Sequence, residues 1–269
     1  MFGLFPKKKI HISLPAQTRV IAIGDIHGQG HRLLSVMADV EKYRRRHPVR
    51  HEHIVFLGDF TDRGPKSPQV IEYLAKRHKR AQNAPHAEVF LQGNHEELVL
   101  DALDTRGTRQ EVWWRNGGQQ TVNSYLEFQK ITAPDHLSIA DKLALFRQSY
   151  PQHHKDFMDR LISKYQVGPL VFVHAGLQMD TALSEQKDED MHWIRDPFLH
   201  WKGDPKDFLV VHGHSITPRM KPEIHPHRIA IDTGSYKFKG RITAAVFEEN
   251  HVQFFSNGTR KGFIKTVFS

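Results

Sequence analysis

Arg19-Val20-Ile21-Ala22-Ile23-Gly24-Asp25-Ile26-His27-Gly28 is the stretch from which the rest of the chain can be read. A short β-branched apolar run ends on glycine, the pattern of a strand buried on both faces, and an acid and an imidazole follow at once. The pattern returns twice. His53-Ile54-Val55-Phe56-Leu57-Gly58 runs into Asp59-Phe60-Thr61-Asp62-Arg63-Gly64, and Ala87-Glu88-Val89-Phe90-Leu91 runs into Gly93-Asn94-His95-Glu96. Between the first two, His31 to Arg46 carries Leu33, Val36, Met37, Val40 and Tyr43 at helical spacing. Ser67 to Arg80 reads as a second helix, with Ser67 as N-cap and Pro68 at the first helical position. A third helix starts just after Asn94. The β-α-β-α-β-α order predicts an α/β domain whose sheet is largely parallel and covered by helices.

From about Glu97 to Ser163 the patterns are helical and richer in polar residues, which predicts a helical insertion over about 97–163. Strand-like runs return at Pro169 to Val173, Phe208 to Val211, Arg228 to Ile231, Ile242 to Phe247 and Val252 to Phe255. No linker, repeat or low-complexity tract intervenes, so residues 19–269 read as one domain after a short basic tail over 1–18.

Composition removes whole classes of function. At 269 residues, with 39% hydrophobic and 25% charged, the chain is long enough to bury a core and is an ordinary globular protein. No apolar run approaches the ~20 residues of a membrane span. Phe2 to Phe5 precede Lys7-Lys8-Lys9, the reverse of a secretory signal, and the expected location is cytoplasmic. Cysteine is absent, which excludes disulfides, thiolate metal sites and every cysteine nucleophile, including that of cysteine-dependent phosphatases. The 38 Lys+Arg exceed the 30 Asp+Glu, a net charge of +8 that attracts anions such as phosphate esters. These cations are scattered, with short clusters only at Lys7 to Lys9 and Arg44 to Arg46, so no dedicated nucleic-acid surface is expected.

The chemistry collects after the strands. Besides the segments quoted above, the run at Val171 ends in His174-Ala175-Gly176, and Val210-Val211 leads into His212-Gly213-His214-Ser215. Ligands of open parallel sheets sit outside the carboxyl ends of the strands, so these segments should converge on one rim. Carboxylates, an amide oxygen and imidazoles, without sulfur, suit hard-to-borderline divalent metals. Asp25 and His27, two apart, can point to one side of an extended segment. Asn94, His174 and His214 can serve a second cation, with Asp59 bridging the two. A pair of metals ~3.5–4 Å apart acidifies a bridging water and clamps both oxygens of an in-line phosphoryl displacement.

These residues resemble the metal-dependent phosphoprotein phosphatase family within the calcineurin-like metallophosphoesterases. The matching motifs are GDIHG at Gly24 to Gly28, GDFTDRG at Gly58 to Gly64, GNHE at Gly93 to Glu96, HAG at His174 to Gly176 and GH at Gly213-His214, in the family's order. Trp193-Ile194-Arg195-Asp196-Pro197-Phe198 and Ile231-Asp232-Thr233-Gly234-Ser235 resemble the compact bacterial branch, close to bacteriophage-lambda-type serine/threonine phosphatases. The resemblance implies a four-layer α/β/β/α sandwich with the motif loops on one rim. It implies Asp25, His27 and Asp59 on one metal, and Asp59, Asn94, His174 and His214 on the other. It further implies His95 as general acid oriented by Asp62, with Arg63, Asn94 and Arg195 binding the phosphate. Two divalent ions are implied, Mn²⁺ first, with Fe or Zn compatible. The implied activity is hydrolysis of phosphoserine, phosphothreonine or phosphotyrosine in a phosphoprotein or phosphopeptide, by direct attack of a metal-bridging hydroxide.

Two departures from the pattern stand out. His212 sits two before His214, as a residue supporting the ligands or as a plain strand residue. Where the wider superfamily places a further histidine ligand, this chain has Ile216, which favours the phosphoprotein-phosphatase branch. Thr61 replaces the usual valine beside Asp62.

Plainer readings stand beside these. Asp25, His27, Asp59, Asn94 and His174 could each be a turn residue after a strand, and His95 a helix-start residue. Arg195 could pair with Asp190 or Asp196. Trp113-Trp114 and Asn116-Gly117-Gly118 either line a substrate rim or pack the insertion. His47, His51, His53, His153, His154, His225 and His227 read as surface residues. Neither GxGxxG nor GxxxxGK[ST] occurs, so dinucleotide-cofactor binding and a P-loop find no support. Two rivals to the protein phosphatase remain: a dinucleoside polyphosphate hydrolase, acting for example on diadenosine tetraphosphate, and a catalytically silent phosphopeptide-binding module, against which the intact residue set argues.

Overall fold

In the computed structural model, residues 13–257 are described except 83, 85, 135 and 205, together with the backbone of 265–267. The strands are β1 (Thr18–Ile23), β2 (His51–Phe56), β3 (Ala87–Phe90), β4 (Lys164–Val167), β5 (Leu170–Val173), β6 (Leu209–His212), β7 (Glu223–Ile224), β8 (Arg228–Ala230), β9 (Asp232–Thr233), β10 (Arg241–Glu248), β11 (His251–Ser256) and β12 (Lys265–Val267). The helices are α1 (Gly30–Arg46), α2 (Ser67–Ala81), α3 (Asn94–Leu103), α4 (Gln110–Trp113), α5 (Gln119–Phe128), α6 (Ile139–Ser149), α7 (Gln152–Met158) and α8 (Asp188–Trp193).

β1 is buried throughout because its two faces serve different cores. Ile21 and Ile23 face α1, α2 and the insertion, packing with Leu33, Val36, Ile71 and Trp113. Val20 and Ala22 face the other sheet, packing with Phe172, Val211 and Ile229. The first sheet runs β12-β11-β10-β1-β2-β3, and the second β4-β5-β6-β8-β7. Val171, Val173 and Val210 on the outer face of the second sheet are covered by Met191 of α8 and by Phe198. The layers are helix, sheet, sheet, helix, the expected four-layer α/β/β/α sandwich.

The largely parallel sheet expected from the first half is only half realised. β1, β2 and β3 are parallel, but β10 joins β1 antiparallel and carries the β10–β11 hairpin with it. A tight hairpin connection forces antiparallel pairing, and the apolar run of β10 does not reveal which neighbour it will choose. Ser67 is not the N-cap of α2. Lys66 holds that position, Ser67 lies inside the helix, and its Oγ meets Thr121 Oγ1 at 3.0 Å and accepts from Asp62 N at 3.2 Å. β4 escaped the sequence reading because Lys164-Tyr165-Gln166-Val167 is half exposed and so carries no apolar run.

The stretch from α3 to α7 is helical and is built into the core: Trp113, Val122, Tyr125, Phe146 and Phe157 join the cluster under β1 and β2. His154 is fully buried there, its Nδ1 2.9 Å from Tyr125 Oη, and His227 is buried too, so neither is the surface residue expected. Residues 1–12 of the expected tail lie outside the described residues. Leu14 already packs in the core, and Thr18 opens β1. No helix among the described residues is long and apolar enough to cross a membrane.

Candidate active site

The loops after β1, β2, β3, β5 and β6 meet at one rim, and the backbone there is forced into unusual shapes. His27, Asp59, Asp62, Arg63 and His214 all take the left-handed conformation, with φ of 48°, 52°, 69°, 63° and 60°. Each such residue costs ~1–3 kcal/mol, so the surroundings must over-determine it. They do. Ile26 N and His27 N both donate to Asp59 O, at 3.0 and 2.8 Å. Glu96 then accepts from Asp59 N at 2.7 Å, Phe60 N at 2.8 Å and Gly93 N at 3.0 Å, tying the second motif loop to the third. At Gly213 a Cβ would collide with Asp25 Oδ1, so only glycine lets the last loop close over the first.

Asp59 stands at the centre. Its Oδ1 lies 3.2 Å from His174 Nε2, and its Oδ2 lies 3.5 Å from His27 Nε2 and 3.9 Å from His95 Nε2. Asn94 Oδ1 is 3.1 Å from His174 Nε2 and 2.9 Å from His214 Nδ1. Two compact groups result, His27-Asp59-His95 and Asp59-His174-His214, sharing Asp59. Asp25, expected with His27 and Asp59, is buried alongside but turns its oxygens to the His214 N–H at 3.1 and 3.2 Å, and it shares a hydrogen bond with Asp232.

The tautomers follow from the backbone. His174 Nδ1 donates to Leu57 O at 2.8 Å and His27 Nδ1 donates to Thr61 O at 2.9 Å, so each ring turns Nε2 into the site. Burial holds both imidazoles below their usual range, and His214 is pushed down to about 2 by burial and by His174. Burial pushes Asp59 up, but His174, His95, His27 and His214 outweigh it and keep the carboxyl ionised. Lone pairs of His174 Nε2, Asp59 Oδ1 and Asn94 Oδ1 therefore converge with no proton between them. Burial, Asp232 and Asp59 push Asp25 well up, a crowding of carboxylates that positive charge relieves. Oxygen and neutral imidazole donors in this arrangement fit divalent cations.

Beside this group His95 Nδ1 meets Asp62 Oδ2 at 2.5 Å. Burial lowers the His95 pKa, but Asp59 and the hydrogen-bonded Asp62 more than compensate, and the net shift is upward. Asp62 is itself fully engaged: Trp113 Nε1 donates to Oδ2 at 2.8 Å and Thr121 Oγ1 donates to Oδ1 at 2.6 Å. Arg63 Nη1 lies 3.0 Å from His27 Nε2, and its guanidinium sits 4.6 Å from the Tyr236 ring centre. Arg195 donates to Ser215 Oγ at 2.9 Å, next to His214. It takes neither Asp190, which accepts from Gln178, nor Asp196, which pairs with His200.

His212 ends β6 with Nδ1 on Gly213 O at 3.0 Å and Nε2 facing Arg228, outside the cluster. Sequence reading left Trp113 open between rim and packing. It is a packed residue whose one polar atom serves the site. Thr121 and Tyr236 were missed, and Glu96 and Asp232 stood in quoted motifs without a role, since spacing alone carries no sign of a carboxylate that accepts backbone N–H groups.

The calcineurin-like phosphoesterase family model matches residues 18–258. The chain is 27% identical over 262 residues to bis(5'-nucleosyl)-tetraphosphatase PrpE [asymmetrical] of Oceanobacillus iheyensis, covering 93% of this chain and 96% of that protein. It is 27% identical over 231 residues to serine/threonine-protein phosphatase 1 of Salmonella typhimurium, covering 84% and 90%. A solved cold-active protein tyrosine phosphatase shares the fold, with TM-score 0.61 over 93% of this chain and 81% of that one at 17% identity. The match runs from the start of β1 past the end of β11 and takes in every residue of the cluster described above. The chain belongs to the calcineurin-like phosphoesterases.

Proposed function

We propose that the chain is a divalent-metal-dependent hydrolase of dinucleoside polyphosphates such as diadenosine tetraphosphate. The observation that carries the chemistry is Asp59, one carboxylate set between the neutral imidazole of His27 on one side and those of His174 and His214 on the other, with the charged His95–Asp62 pair alongside. The substrate class is supported by the PrpE relative, 96% of whose length this chain covers.

In this reading His27 and Asp59, with Asp25 alongside, would hold one cation, and Asp59, Asn94, His174 and His214 would hold the other, Mn²⁺ first because the donors are oxygen and nitrogen. Bound divalent cations supply charge neutralisation at the phosphoryl oxygens and acidify water. Arg63, beside His27, and Arg195, held by Ser215, grip the non-bridging oxygens with guanidinium forks. Asn94 reaches the same group. His95 delivers a proton to the departing oxygen, and Asp62 keeps that imidazole charged and aligned. Trp113 and Thr121 keep Asp62 in place.

A side-by-side assay tests the proposal. Chelator-stripped protein resupplied with Mn²⁺ should cleave diadenosine tetraphosphate into unequal nucleotides, with a higher kcat/KM than on phosphoserine, phosphothreonine or phosphotyrosine peptides. Activity that survives thorough stripping refutes the metal requirement. Preference for the peptides moves the assignment to the protein phosphatase reading, which the Salmonella relative supports.

A further inference from the structure

Between β9 and β10, residues 234–240 form a loop that is firmly built yet holds an aromatic ring out in water. Lys237 N donates to Gly234 O at 2.8 Å, and Gly240 N donates to Lys237 O at 3.0 Å. Arg32, reaching across from α1, donates to the carbonyls of Ser235, Lys237 (3.3 Å) and Gly240 (2.7 Å). Phe238 on this clamped loop is 95% exposed, against 53% for Leu34, the next most exposed large apolar side chain among the described residues. A loop fixed by so many hydrogen bonds has no need to expose a phenyl ring for its own stability.

The loop also borders the candidate site. Tyr236 packs edge-on against His27 at 5.1 Å and lies under Arg63, with Lys237 Nζ 4.9 Å from the same ring. Phe238 lines a cleft of ≈ 400 Å³ with Ile216, Pro218, Met220, Lys237 and Lys239. Both segments of this lining start beside the site: Ile216 lies two residues after His214, and Lys237 directly follows Tyr236. A mostly apolar cleft with cations on its edge, opening beside a phosphoryl site, matches a ligand that is aromatic at one end and polyanionic at the other.

We infer that this cleft is a nucleoside subsite, with a base of the polyphosphate ester stacking on Phe238 and the phosphate chain passing Lys237 and Lys239 toward Arg63. The inference rests on the dinucleoside polyphosphate reading above and adds the residues that would bind the nucleoside. Base–aromatic stacking is sequence-tolerant, so adenine and guanine esters should both be accepted.

The test compares wild type, Phe238→Ala and Phe238→Trp, each loaded with Mn²⁺, on diadenosine tetraphosphate, on a phosphoserine peptide and on p-nitrophenyl phosphate, neither of the last two carrying a nucleoside. Loss of stacking should lower the ratio of kcat/KM for diadenosine tetraphosphate to that for p-nitrophenyl phosphate on the order of tenfold in Phe238→Ala, through KM, and Phe238→Trp should restore it. ATP, used as a competitive inhibitor of p-nitrophenyl phosphate turnover, should weaken in parallel, whereas inhibition by inorganic phosphate should not follow. A ratio and an ATP inhibition constant that do not move in Phe238→Ala, in a protein whose wild type cleaves diadenosine tetraphosphate, overturn the subsite alone. A wild type that does not cleave it overturns the substrate reading and the subsite together. A Phe238→Ala defect confined to phosphopeptides overturns the nucleoside assignment and makes the ring a peptide contact.

Discussion

His95 carries the clearest set of residue-scale consequences, because its charge and aim are set by contacts that can be removed one at a time. Asp62 Oδ2 takes its Nδ1–H at 2.5 Å, and the His95 pKa is raised once Asp59 and Asp62 have offset burial. The acid form disappears as pH rises through that pKa, so a proton donor of this kind fails on the alkaline side. Asp62→Asn removes a contribution that raises the pKa, and the alkaline limb of kcat/KM for alkyl phosphates should move to lower pH in a pH–rate profile. His95→Asn should slow alkyl phosphates more than aryl phosphates or phosphoanhydrides, whose leaving groups need less protonation. Equal losses across the three would remove His95 from this role. Trp113→Phe keeps an aromatic ring, though a smaller one, in the core but deletes the N–H on Asp62, and activity should fall about tenfold, as for hydrogen-bond partners that orient a metal ligand. Unchanged turnover in that variant would make Trp113 a packing residue only. Asp25, His27, Asp59, Asn94, His174 and His214 were all legible as candidates because each follows a strand within a short glycine-flanked motif. Thr121 was not, since it reaches the site from a helix whose sequence carries no motif, while Trp113 read only as rim or packing and Asp232 only as a member of the Ile231–Ser235 motif.

At the scale of elements, the site is assembled by contacts between loops and helix starts. Glu96, in the first turn of α3, uses both oxygens on backbone N–H groups of the β2 loop and of Gly93. An amide in its place would turn an NH₂ toward one of these donor sets. Glu96→Gln should therefore cost ~1–3 kcal/mol in denaturant or thermal unfolding, a penalty typical of buried donors left unpaired. Gly117, with φ of 106°, lies in the π-helical turn between α4 and α5, where a Cβ would come within 2.7 Å of Arg63 N and Cγ. Gly117→Ala should displace Arg63 and raise KM for phosphate esters, while the melting temperature shifts less than in Glu96→Gln. α1 and α2 were readable from their apolar stripes. The cap of α2 was not, because Ser67 has a better partner in Thr121 than in its own helix.

For the whole molecule, two sheets pressed face to face hold the five loops at a common rim, and bound cations should stabilise that rim as well as act there. A ligand at 100 times its Kd adds about 2.7 kcal/mol to stability, and at this size 1 kcal/mol moves Tm by roughly 2–4 °C. Chelator treatment should lower Tm by several degrees, and Mn²⁺ should restore it. Asp59→Asn, which weakens both groups of donors, should show a smaller response to the metal. Identical melting curves with and without chelator would show that the cluster does not hold metal in the folded protein. Phe172, fully buried between the sheets, tests the scaffold separately: Phe172→Ala should cost ~3–5 kcal/mol with the metal response retained.

The sequence by itself determined that acids and imidazoles would gather after successive strands, that no thiol takes part, and that the first half folds as strand and helix in alternation. Those are local properties, carried by residue type and spacing. Tertiary structure decided the rest. It set β10 antiparallel beside β1, made the insertion part of the core, and turned Asp25 toward His214 and Asp232. It also aimed a tryptophan from the insertion at Asp62. Each of these depends on which distant segment wins a shared surface, a competition among packing and hydrogen-bonding partners that no local pattern along the chain encodes.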